Sequence, residues 1–241
     1  MKKKLSIIIP FLNEEKTIKQ ILQKIVNLKN LNLEKEIILV NDGSSDNSKN
    51  IINEFISKEY ENTSFIYIEN ETNKGKGYSL KEGFKKSTGD YLIVQDADLE
   101  YNPEDYSKII KKLEQENLDF VYGSRTRGYF ENGFRYSYLS FLFGGLVISF
   151  LSSLATLKII TDEPTCYKLF KSSLKDLLIV PTENGFEWEP AITVFLIKKG
   201  FKYSEVPISY FPRKSSEGKK IKWIDGVKAI QTIIKRRIKK D

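Results

Sequence analysis

Apolar residues occur in five short runs in the first half of the chain, and each run has the length of one buried strand. The predicted strands are residues 5–9, 36–40, 64–68, 91–95 and 120–122. Between these runs, apolar residues recur at helical spacing, as they do in residues 18–26 and 106–113. Strands that alternate with helices over short connections predict an α/β fold with a mainly parallel central sheet and helices on both faces.

The alternation stops after residue 135. Residues 136–157 form a stretch of 22 residues without a charge, which is long enough to cross a bilayer. Six hydroxyl side chains and the pair Gly144-Gly145 interrupt its apolar character. We therefore expect one or two helices that pack on the domain or lie in a membrane interface, with a plain buried helix as the alternative. A basic amphipathic helix is predicted over residues 223–240.

Polar residues follow the predicted strands, and in parallel α/β sheets ligands bind beyond the carboxyl ends of the strands. The polar positions at these ends are Asn13, Glu14, Asn41, Asp42, residues 73–77, Asp96, Asp98, Ser124 and Arg125. Because parallel strands end at a common edge, these side chains are predicted to meet there.

Three acidic residues alternate in Asp96-Ala97-Asp98-Leu99-Glu100, directly after the fourth predicted strand. If the chain stays extended, their carboxylates lie on one side and repel one another. A divalent cation would remove that repulsion and bridge to a diphosphate. The alternative interpretation is a strand end followed by a helix N-terminus, where acidic residues are favoured.

Two loops rich in turn-forming residues accompany this acidic segment. Residues 41–46 have the composition of an ordinary strand-to-helix turn, although Asp42 is also suited to accept hydrogen bonds from a nucleobase or ribose. Residues 73–77 contain two glycines and two lysines, but they match neither the phosphate-loop nor the dinucleotide fingerprint. We predict a tight loop that approaches the ligand.

The composition excludes several kinds of chemistry. The chain has no histidine, which rules out histidine general bases and Ser-His-Asp catalysis. Its single cysteine, Cys166, rules out an internal disulfide framework and multi-cysteine zinc sites. A metal ion would therefore be held by oxygen ligands, which favours Mg²⁺ or Mn²⁺.

The net charge of +7 is concentrated at the end of the chain, where residues 201–241 hold 12 Lys and Arg against 4 Asp and Glu. Such a segment suits nucleic acid, anionic lipid or a phosphorylated substrate. It contains no recognised nucleic-acid-binding element, so we expect no nucleic-acid partner. The N-terminus, with Lys2 to Lys4, enters a strand without an apolar signal region, and we expect a cytoplasmic protein.

Arginine is rare in this lysine-rich chain, and its positions are informative. Arg125, Arg127 and Arg135 are three of six arginines, and Arg213 is a fourth. Arginine can donate two parallel hydrogen bonds to a phosphate, which lysine cannot, so its use at these positions suggests phosphate binding. Arg127 is the exception, because its position fits a solvated loop.

Taken in order, these segments resemble the family 2 glycosyltransferases, and within them the dolichyl-phosphate (polyprenyl-phosphate) mannosyl- and glucosyltransferases. The matching segments are residues 6–15, 40–46, 73–77, 89–99, 123–125 and 206–220. The resemblance covers nearly the whole chain. It implies a nucleotide-diphospho-sugar transferase (GT-A, Rossmann-like) fold.

The resemblance also implies residue roles on the donor side. The residues that would line the nucleotide pocket are Pro10, Leu12, Glu14, Val40 and Asp42. The residues that would meet the metal and the diphosphate are Asp96, Ala97, Asp98, Arg213 and Lys219. Glu100 falls where relatives often carry glutamine as a further metal ligand, so the expected ligands of Mg²⁺ or Mn²⁺ are Asp96, Asp98 and Glu100.

On the acceptor side, the resemblance implies that Arg125 and Arg135 hold the acceptor phosphate. Asp162 aligns with a position proposed as catalytic in some relatives, and with Asp98 these arginines complete the expected catalytic set. The chain is interpreted as one catalytic domain. Residues 1–125 form its nucleotide-sugar half, residues 126–160 its acceptor-side interfacial helices, and residues 161–241 the remaining acceptor and diphosphate half.

The implied reaction is metal-dependent, inverting transfer of a sugar from a nucleotide diphospho-sugar, of the GDP-mannose or UDP-glucose type, to a polyprenyl monophosphate. The enzyme would sit peripherally on the cytoplasmic face of a membrane. The alternative is a family 2 enzyme acting on a hydroxyl, which would need a base from Asp162, Glu187 or Glu189. A nucleotide-sugar-binding or membrane-docking subunit without turnover is the third reading, and the intact pair Asp96 and Asp98 argues against it.

Overall fold

A computed structural model of the chain describes residues 2–132, 139–213 and 223–238. Its centre is a seven-stranded sheet in the order β3-β2-β1-β4-β6-β5-β7. The strands are β1 (Lys4–Phe11), β2 (Glu34–Asn41), β3 (Thr63–Glu69), β4 (Tyr91–Val94), β5 (Phe120–Ser124), β6 (Lys168–Lys171) and β7 (Tyr203–Pro207). All five strands predicted from the apolar runs are present, so the predicted α/β class is confirmed.

The sheet is mainly parallel, with one reversed strand. The pairs β1–β2, β1–β4, β2–β3 and β5–β7 are parallel, whereas β6 runs antiparallel to both of its neighbours, β4 and β5. The hydropathy pattern did not reveal β6 or β7, because short strands inside a segment of mixed composition lack a clear period. Insertion of β6 nevertheless leaves β4 and β5 pointing the same way, so their carboxyl ends share one edge.

Nine helices surround the sheet in the described part of the chain. They are α1 (Ile18–Val26), α2 (Ser48–Ile56), α3 (Lys76–Lys86), α4 (Tyr106–Gln115), α5 (Arg125–Asn132), α6 (Leu139–Thr156), α7 (Lys175–Leu178), α8 (Trp188–Lys198) and α9 (Trp223–Ile238). The helical spacing of residues 106–113 corresponds to α4, which is preceded directly by a 3₁₀ turn at Pro103–Asp105.

The central strands are buried on both faces, as the run of isoleucines in β1 requires. Ile7, Ile8 and Ile9 have no exposed surface, and neither does Ile38 in β2. The sequence of a strand covered on both faces by helices is a continuous apolar run, because neither face of the strand meets water. This rigid core holds the strand ends, and therefore the loops that follow them, in fixed positions.

Helices α6 and α9 pack against each other and against α8. Their shared contact is a small apolar cluster of Ala155, Val194 and Ile233. On its other side, α6 exposes apolar residues, with Phe143 and Phe150 exposed by 71% and 62%. In the ranges that the structure describes, no helix is both long enough and apolar enough to cross a membrane.

Candidate active site

The carboxyl ends of β1, β2, β4 and β5 place the sequence-predicted polar residues along one edge of the sheet. Glu14 follows β1, and Asp42 follows β2. Asp96 and Asp98 follow β4, and Arg125 is the first residue after β5. Strands β1, β2 and β4 run parallel to one another, and β5 points the same way because the antiparallel β6 lies between β4 and β5. The carboxyl ends of all four strands therefore lie at one edge of the sheet.

The acidic segment after β4 does not stay extended. Leu99 has a φ of 64°, and Asp98 Oδ1 accepts a hydrogen bond from the Glu100 N–H at 3.1 Å. This tight turn divides the three carboxylates. Asp96 contacts a lysine on α3, whereas Asp98 and Glu100 contact Arg213.

Arg213 is surrounded by three carboxylates from two loops, the one after β1 and the one after β4. Its Nη2 lies 2.8 Å from Asp98 Oδ2, its Nη1 lies 3.4 Å from Glu14 Oε2, and its Nε lies 3.8 Å from Glu100 Oε1. The arginine side chain is 14% exposed. A guanidinium that bridges acidic groups from distant segments brings the end of the chain onto the edge of the sheet.

Glu100 holds the backbone that carries Arg213. Its Oε1 accepts a hydrogen bond from the Arg213 N–H at 2.8 Å, and its Oε2 accepts one from the Tyr210 hydroxyl at 2.9 Å. The Glu100 carbonyl accepts from the Phe211 N–H at 2.8 Å. Both oxygens of the Glu100 carboxylate are therefore engaged within the chain.

The two aspartates have opposite electrostatic environments. Burial raises the pKa of Asp98, and the neighbouring Asp96 and Glu100 raise it further, to about 7, although Arg213 opposes the change. Burial also acts on Asp96, but attraction to Lys76 outweighs it, so the pKa of Asp96 lies below its ordinary value. Of these two aspartates, Asp98 is the one whose charged form is disfavoured, and an added cation would favour that form.

The oxygen ligands at this edge fit Mg²⁺ or Mn²⁺ in chemical type. Within residues 2–132, 139–213 and 223–238, no group of three or more acidic or cysteine side chains is arranged as a metal site. Mg²⁺ is commonly held by one or two carboxylates together with substrate phosphates, so a preformed cage is not required. Asp96 and Asp98 both lie at this edge, whereas both carboxylate oxygens of Glu100 already accept hydrogen bonds within the chain.

Lys76 was predicted only as part of the loop of residues 73–77, without a role of its own, yet it lies at the centre of a group of ion pairs. Its Nζ is 2.8 Å from Asp96 Oδ1 and 2.8 Å from Glu189 Oε1. Burial lowers the pKa of Lys76, but the two carboxylates reverse the effect and hold it well above its ordinary value. Because the sequence predicted a loop over residues 73–77, it did not reveal that Lys76 begins α3, where its charge opposes the helix dipole.

Asp42 organises the loop of residues 73–77. Its oxygens accept hydrogen bonds from the backbone N–H groups of Lys74 and Gly75, at 2.9 and 2.8 Å, and from the side chain of Asn70 at 2.9 Å. Asp42 is buried, with 5% exposure. Its carboxylate therefore already serves three donors of the chain.

The other residues expected in the nucleotide pocket lie around the ends of β1 and β2. Pro10 is buried within β1, Leu12 is half-buried just after it, and Glu14 is 8% exposed. Val40 has no exposed surface and belongs to the core of the sheet, as does Ala97 with 3% exposure.

Arg125 and Asp162 form a two-pronged ion pair. Arg125 Nε and Nη2 lie 2.8 and 2.7 Å from the two oxygens of Asp162, and the Arg125 N–H donates to the same carboxylate at 2.7 Å. The guanidinium also lies 5.1 Å from the centre of the Tyr210 ring. Tyr210 in turn contacts Glu100, which links this pair to the acidic segment.

The carboxylates considered as bases for a hydroxyl acceptor are all engaged. Asp162 is held by Arg125, and Glu189 by Lys76. Glu187 Oε1 accepts a hydrogen bond from the Gly185 N–H at 3.1 Å. Arg135 and Lys219, expected at the acceptor phosphate and donor diphosphate, lie outside the described residues.

The amino-acid sequence matches the family described as glycosyl transferase family 2 over residues 6–178. The chain belongs to this family. One relative is the UDP-N-acetylglucosamine–dolichyl-phosphate N-acetylglucosaminyltransferase of Methanococcus voltae, which is 31% identical over 215 residues. That match covers 84% of this chain and 83% of the relative.

Another family 2 relative is the undecaprenyl-phosphate 4-deoxy-4-formamido-L-arabinose transferase of Proteus mirabilis. It is 37% identical over 133 residues, which is 55% of this chain and 40% of that protein. The match therefore spans less than half of the relative. The resemblance seen in the sequence motifs is confirmed, and this family 2 chain is a glycosyltransferase.

Solved structures show the same fold. Glucosyl-3-phosphoglycerate synthase from Mycobacterium tuberculosis, in complex with Mn²⁺, uridine diphosphate and phosphoglyceric acid, has a TM-score of 0.70. The alignment covers 99% of this chain and 80% of the synthase, at 17% sequence identity. The expected GT-A fold is thereby confirmed for this family 2 glycosyltransferase.

Proposed function

We propose that this glycosyltransferase transfers a sugar from a nucleotide diphospho-sugar to a polyprenyl monophosphate, with inversion at the anomeric carbon. The observation that carries the proposal is the set of carboxylates around Arg213 at the carboxyl edge of the sheet. It brings a phosphate-binding cation and cation-binding carboxylates to the same place. Two relatives are named for transfer to dolichyl phosphate and undecaprenyl phosphate, which supports this acceptor class.

On the donor side, residues 1–125 would bind the nucleotide diphospho-sugar. Pro10, Leu12, Glu14, Val40 and Asp42 are the proposed surroundings of the nucleoside. Arg213 would turn from the carboxylates to the diphosphate when the donor binds. Its buried Nε has no hydrogen-bond partner among the described residues, and an unpaired buried donor costs about 1–3 kcal/mol, so a phosphate oxygen would be a favourable acceptor.

Asp98 and Asp96 are the proposed holders of Mg²⁺ or Mn²⁺. When bound, such an ion supplies positive charge that stabilises the departing nucleoside diphosphate. Arg213 adds a second positive charge at the same position, and Lys219 is the proposed third. Ala97 keeps the two aspartates apart, and Glu100 keeps the Arg213 backbone in place.

On the acceptor side, Arg125 would orient the lipid phosphate, with Arg135 as its proposed partner. A phosphate monoester is already ionised near neutral pH, so its oxygen attacks without a strong base. That suits a chain in which Asp162, Glu187 and Glu189 are held by other groups. The remaining contribution of the protein is to bring both substrates into line.

A transfer assay tests this function. Purified protein is incubated with Mn²⁺ or Mg²⁺, undecaprenyl or dolichyl phosphate, and a panel of UDP- and GDP-sugars. We expect one donor to give a glycolipid with inverted anomeric configuration, and we expect the product to disappear on chelation of the metal and in Asp98→Asn. Transfer to a glycan hydroxyl, with none to lipid phosphate, would contradict the proposed acceptor.

Asp90→Asn is the matched control for the assay. Asp90 lies directly before β4, at the opposite end of the strand from Asp98, and it caps the Lys4 N–H at 2.8 Å. Both substitutions remove one carboxylate charge beside the same strand. The control variant is expected to keep its activity, so a loss confined to Asp98→Asn assigns the effect to the carboxyl edge.

We also propose that α6 and α9 contact an anionic membrane surface, so that the enzyme acts peripherally on the cytoplasmic face. In α6, Phe143, Leu146, Phe150 and Leu154 recur at helical spacing and are exposed by 42% to 71%. In α9, exposed apolar and basic side chains lie together: Trp223, Val227, Lys228, Ile234, Lys235 and Arg237. Apolar residues mixed with basic ones are typical of helices that bind anionic interfaces.

Vesicle sedimentation tests this contact. Protein should sediment with vesicles containing phosphatidylglycerol, less so with neutral vesicles, and the difference should shrink in salt. Phe143→Ser with Phe150→Ser is expected to weaken sedimentation strongly. Val180→Ser, at a residue 50% exposed outside both helices, should leave it unchanged. Equal sedimentation of all variants would contradict the assignment.

A further inference from the structure

A chain of alternating charges runs from the interior of the protein to the acidic segment. Glu163 lies 3.9 Å from Lys168, and Lys168 lies 3.7 Å from Glu189. Glu189 lies 2.8 Å from Lys76, and Lys76 lies 2.8 Å from Asp96. Asp96, at 23% side-chain exposure, is the most exposed member and Lys76, at 14%, the next, whereas Glu163, Lys168 and Glu189 are buried. The most exposed member is thus a proposed donor-site carboxylate, and the other charges lead from it to the interior.

The backbone around Lys76 has little freedom to move. A Cβ at Gly75 would collide with the Asn184 carbonyl oxygen, and one at Gly77 would meet the Trp188 Cβ at 2.6 Å. Gly75 also has a φ of 98°, a conformation that residues with a Cβ rarely adopt. The loop therefore docks against residues 184–188 by direct backbone contact, which fixes the position from which Lys76 extends.

Glu189 limits the directions that Lys76 can take. It lies in the first turn of α8, is 6% exposed, and shares the lysine with Asp96 at equal distances. Phe186 covers the same ammonium group, with its ring centre 5.7 Å away. A lysine held between two carboxylates and beside an aromatic ring has one favourable position. Asp96 is then held by a cation that cannot easily follow a ligand.

We propose that Lys76, backed by Glu189, is a positioning residue that holds the Asp96 carboxylate for the donor. This inference rests on the proposed function, because it assumes that Asp96 faces the donor diphosphate and its metal. It goes further by assigning a role to the lysine between the two glycines of residues 73–77. Lys76 acts through Asp96, whereas Arg213 is the cation free to exchange its carboxylates for phosphate.

Binding of Mn²⁺ with UDP or GDP, measured by calorimetry without acceptor, tests the proposal apart from turnover. Lys76→Met is expected to weaken Mn²⁺–nucleotide binding by about 10–100-fold, the usual cost of removing a group that orients a ligand. Lys81→Met is the matched control. Lys81 lies on the same helix and binds the carbonyls of Pro181 and Glu183, but the structure records no contact between it and Asp96.

A double-mutant cycle separates positioning from a purely structural role. If Lys76 acts through Asp96, the double variant Lys76→Met/Asp96→Asn should bind Mn²⁺–nucleotide within about twofold of Asp96→Asn alone. If the losses of binding in the two single variants multiply in the double variant, the proposal is overturned. Such a result would mean that Lys76 contacts the nucleotide directly or that its loss loosens the fold. If Lys76→Met alone does not fold, the double variant Lys76→Met/Glu189→Gln, which removes both charges of the pair, replaces it. This variant should show the same loss of about 10–100-fold in Mn²⁺–nucleotide binding.

The wild-type protein separates this proposal from the function on which it rests. Binding of neither Mn²⁺–UDP nor Mn²⁺–GDP by the wild type would overturn the donor site and the role of Lys76 together. Normal wild-type binding that is unchanged in Lys76→Met would overturn the positioning role alone. Equal weakening in Lys76→Met and Lys81→Met would also overturn it, because only one of these lysines contacts Asp96.

Discussion

Replacement of Glu163 by glutamine should change how the stability of the protein depends on pH. Glu163 has no exposed surface, and its Oε2 has no hydrogen-bond partner in the part of the chain that the structure describes. Burial raises the pKa of Glu163, and the repulsion from Glu189 and Asp162 adds to this. Lys168 and a hydrogen bond from Thr193 oppose the change, and the resulting pKa is about 7.

The size and direction of the effect follow from the two protonation equilibria. In the unfolded chain the Glu163 carboxyl ionises near its ordinary pKa of 4.5, but in the folded protein it ionises only near 7. Between these values the folded state binds one more proton than the unfolded state, so the free energy of unfolding falls as the pH rises. The loss from this group approaches about 3 kcal/mol and is complete above pH 7.

Urea unfolding measured at intervals from pH 5 to pH 8.5 provides the assay. The glutamine variant does not ionise, so its stability relative to the wild type should increase by about 3 kcal/mol across this range. Glu59→Gln, at an exposed glutamate, should give a curve parallel to that of the wild type. Parallel curves for the wild type and Glu163→Gln would refute the reasoning and mean that Lys168 keeps Glu163 ionised in the folded protein.

Two further substitutions test the packing that holds the site. Gly77→Ala should lower the free energy of unfolding by about 1–3 kcal/mol, because the new methyl group would meet the Trp188 Cβ at 2.6 Å, and thermal unfolding would measure it. Arg236→Met should cost about 1.5–3 kcal/mol in urea unfolding, since it leaves the half-buried Glu183 without the guanidinium 2.6 Å away. An unchanged midpoint in either variant would contradict the corresponding contact.

The parallel sheet and the location of the site were predictable from local sequence. Runs such as Ile7 to Ile9 have no polar face, and a strand of that kind is stable only between two layers of helices. Once the strands are parallel, residues that follow them, such as Glu14 and Asp98, must meet at one edge. Neither step requires knowledge of long-range contacts.

The reversed strand was not predictable in the same way. Lys168–Lys171 contains only two apolar residues between lysines, and its place between β4 and β5 depends on partners more than forty positions away in the chain. Hydropathy period carries no information on such pairing. Without β6, the order of the strands beyond β4 stays open.

Residue types and their order along the chain were enough to establish the α/β class, the family and the edge of the sheet at which chemistry would occur. The ion-pair partner of each charged residue was decided only by the tertiary structure. Asp96 and Asp98 are two residues apart, yet one binds Lys76 and the other binds Arg213. A buried charged side chain forms an ion pair with the oppositely charged group that the fold places within about 4 Å. Which group lies within that distance depends on the packing of segments that are distant in the chain.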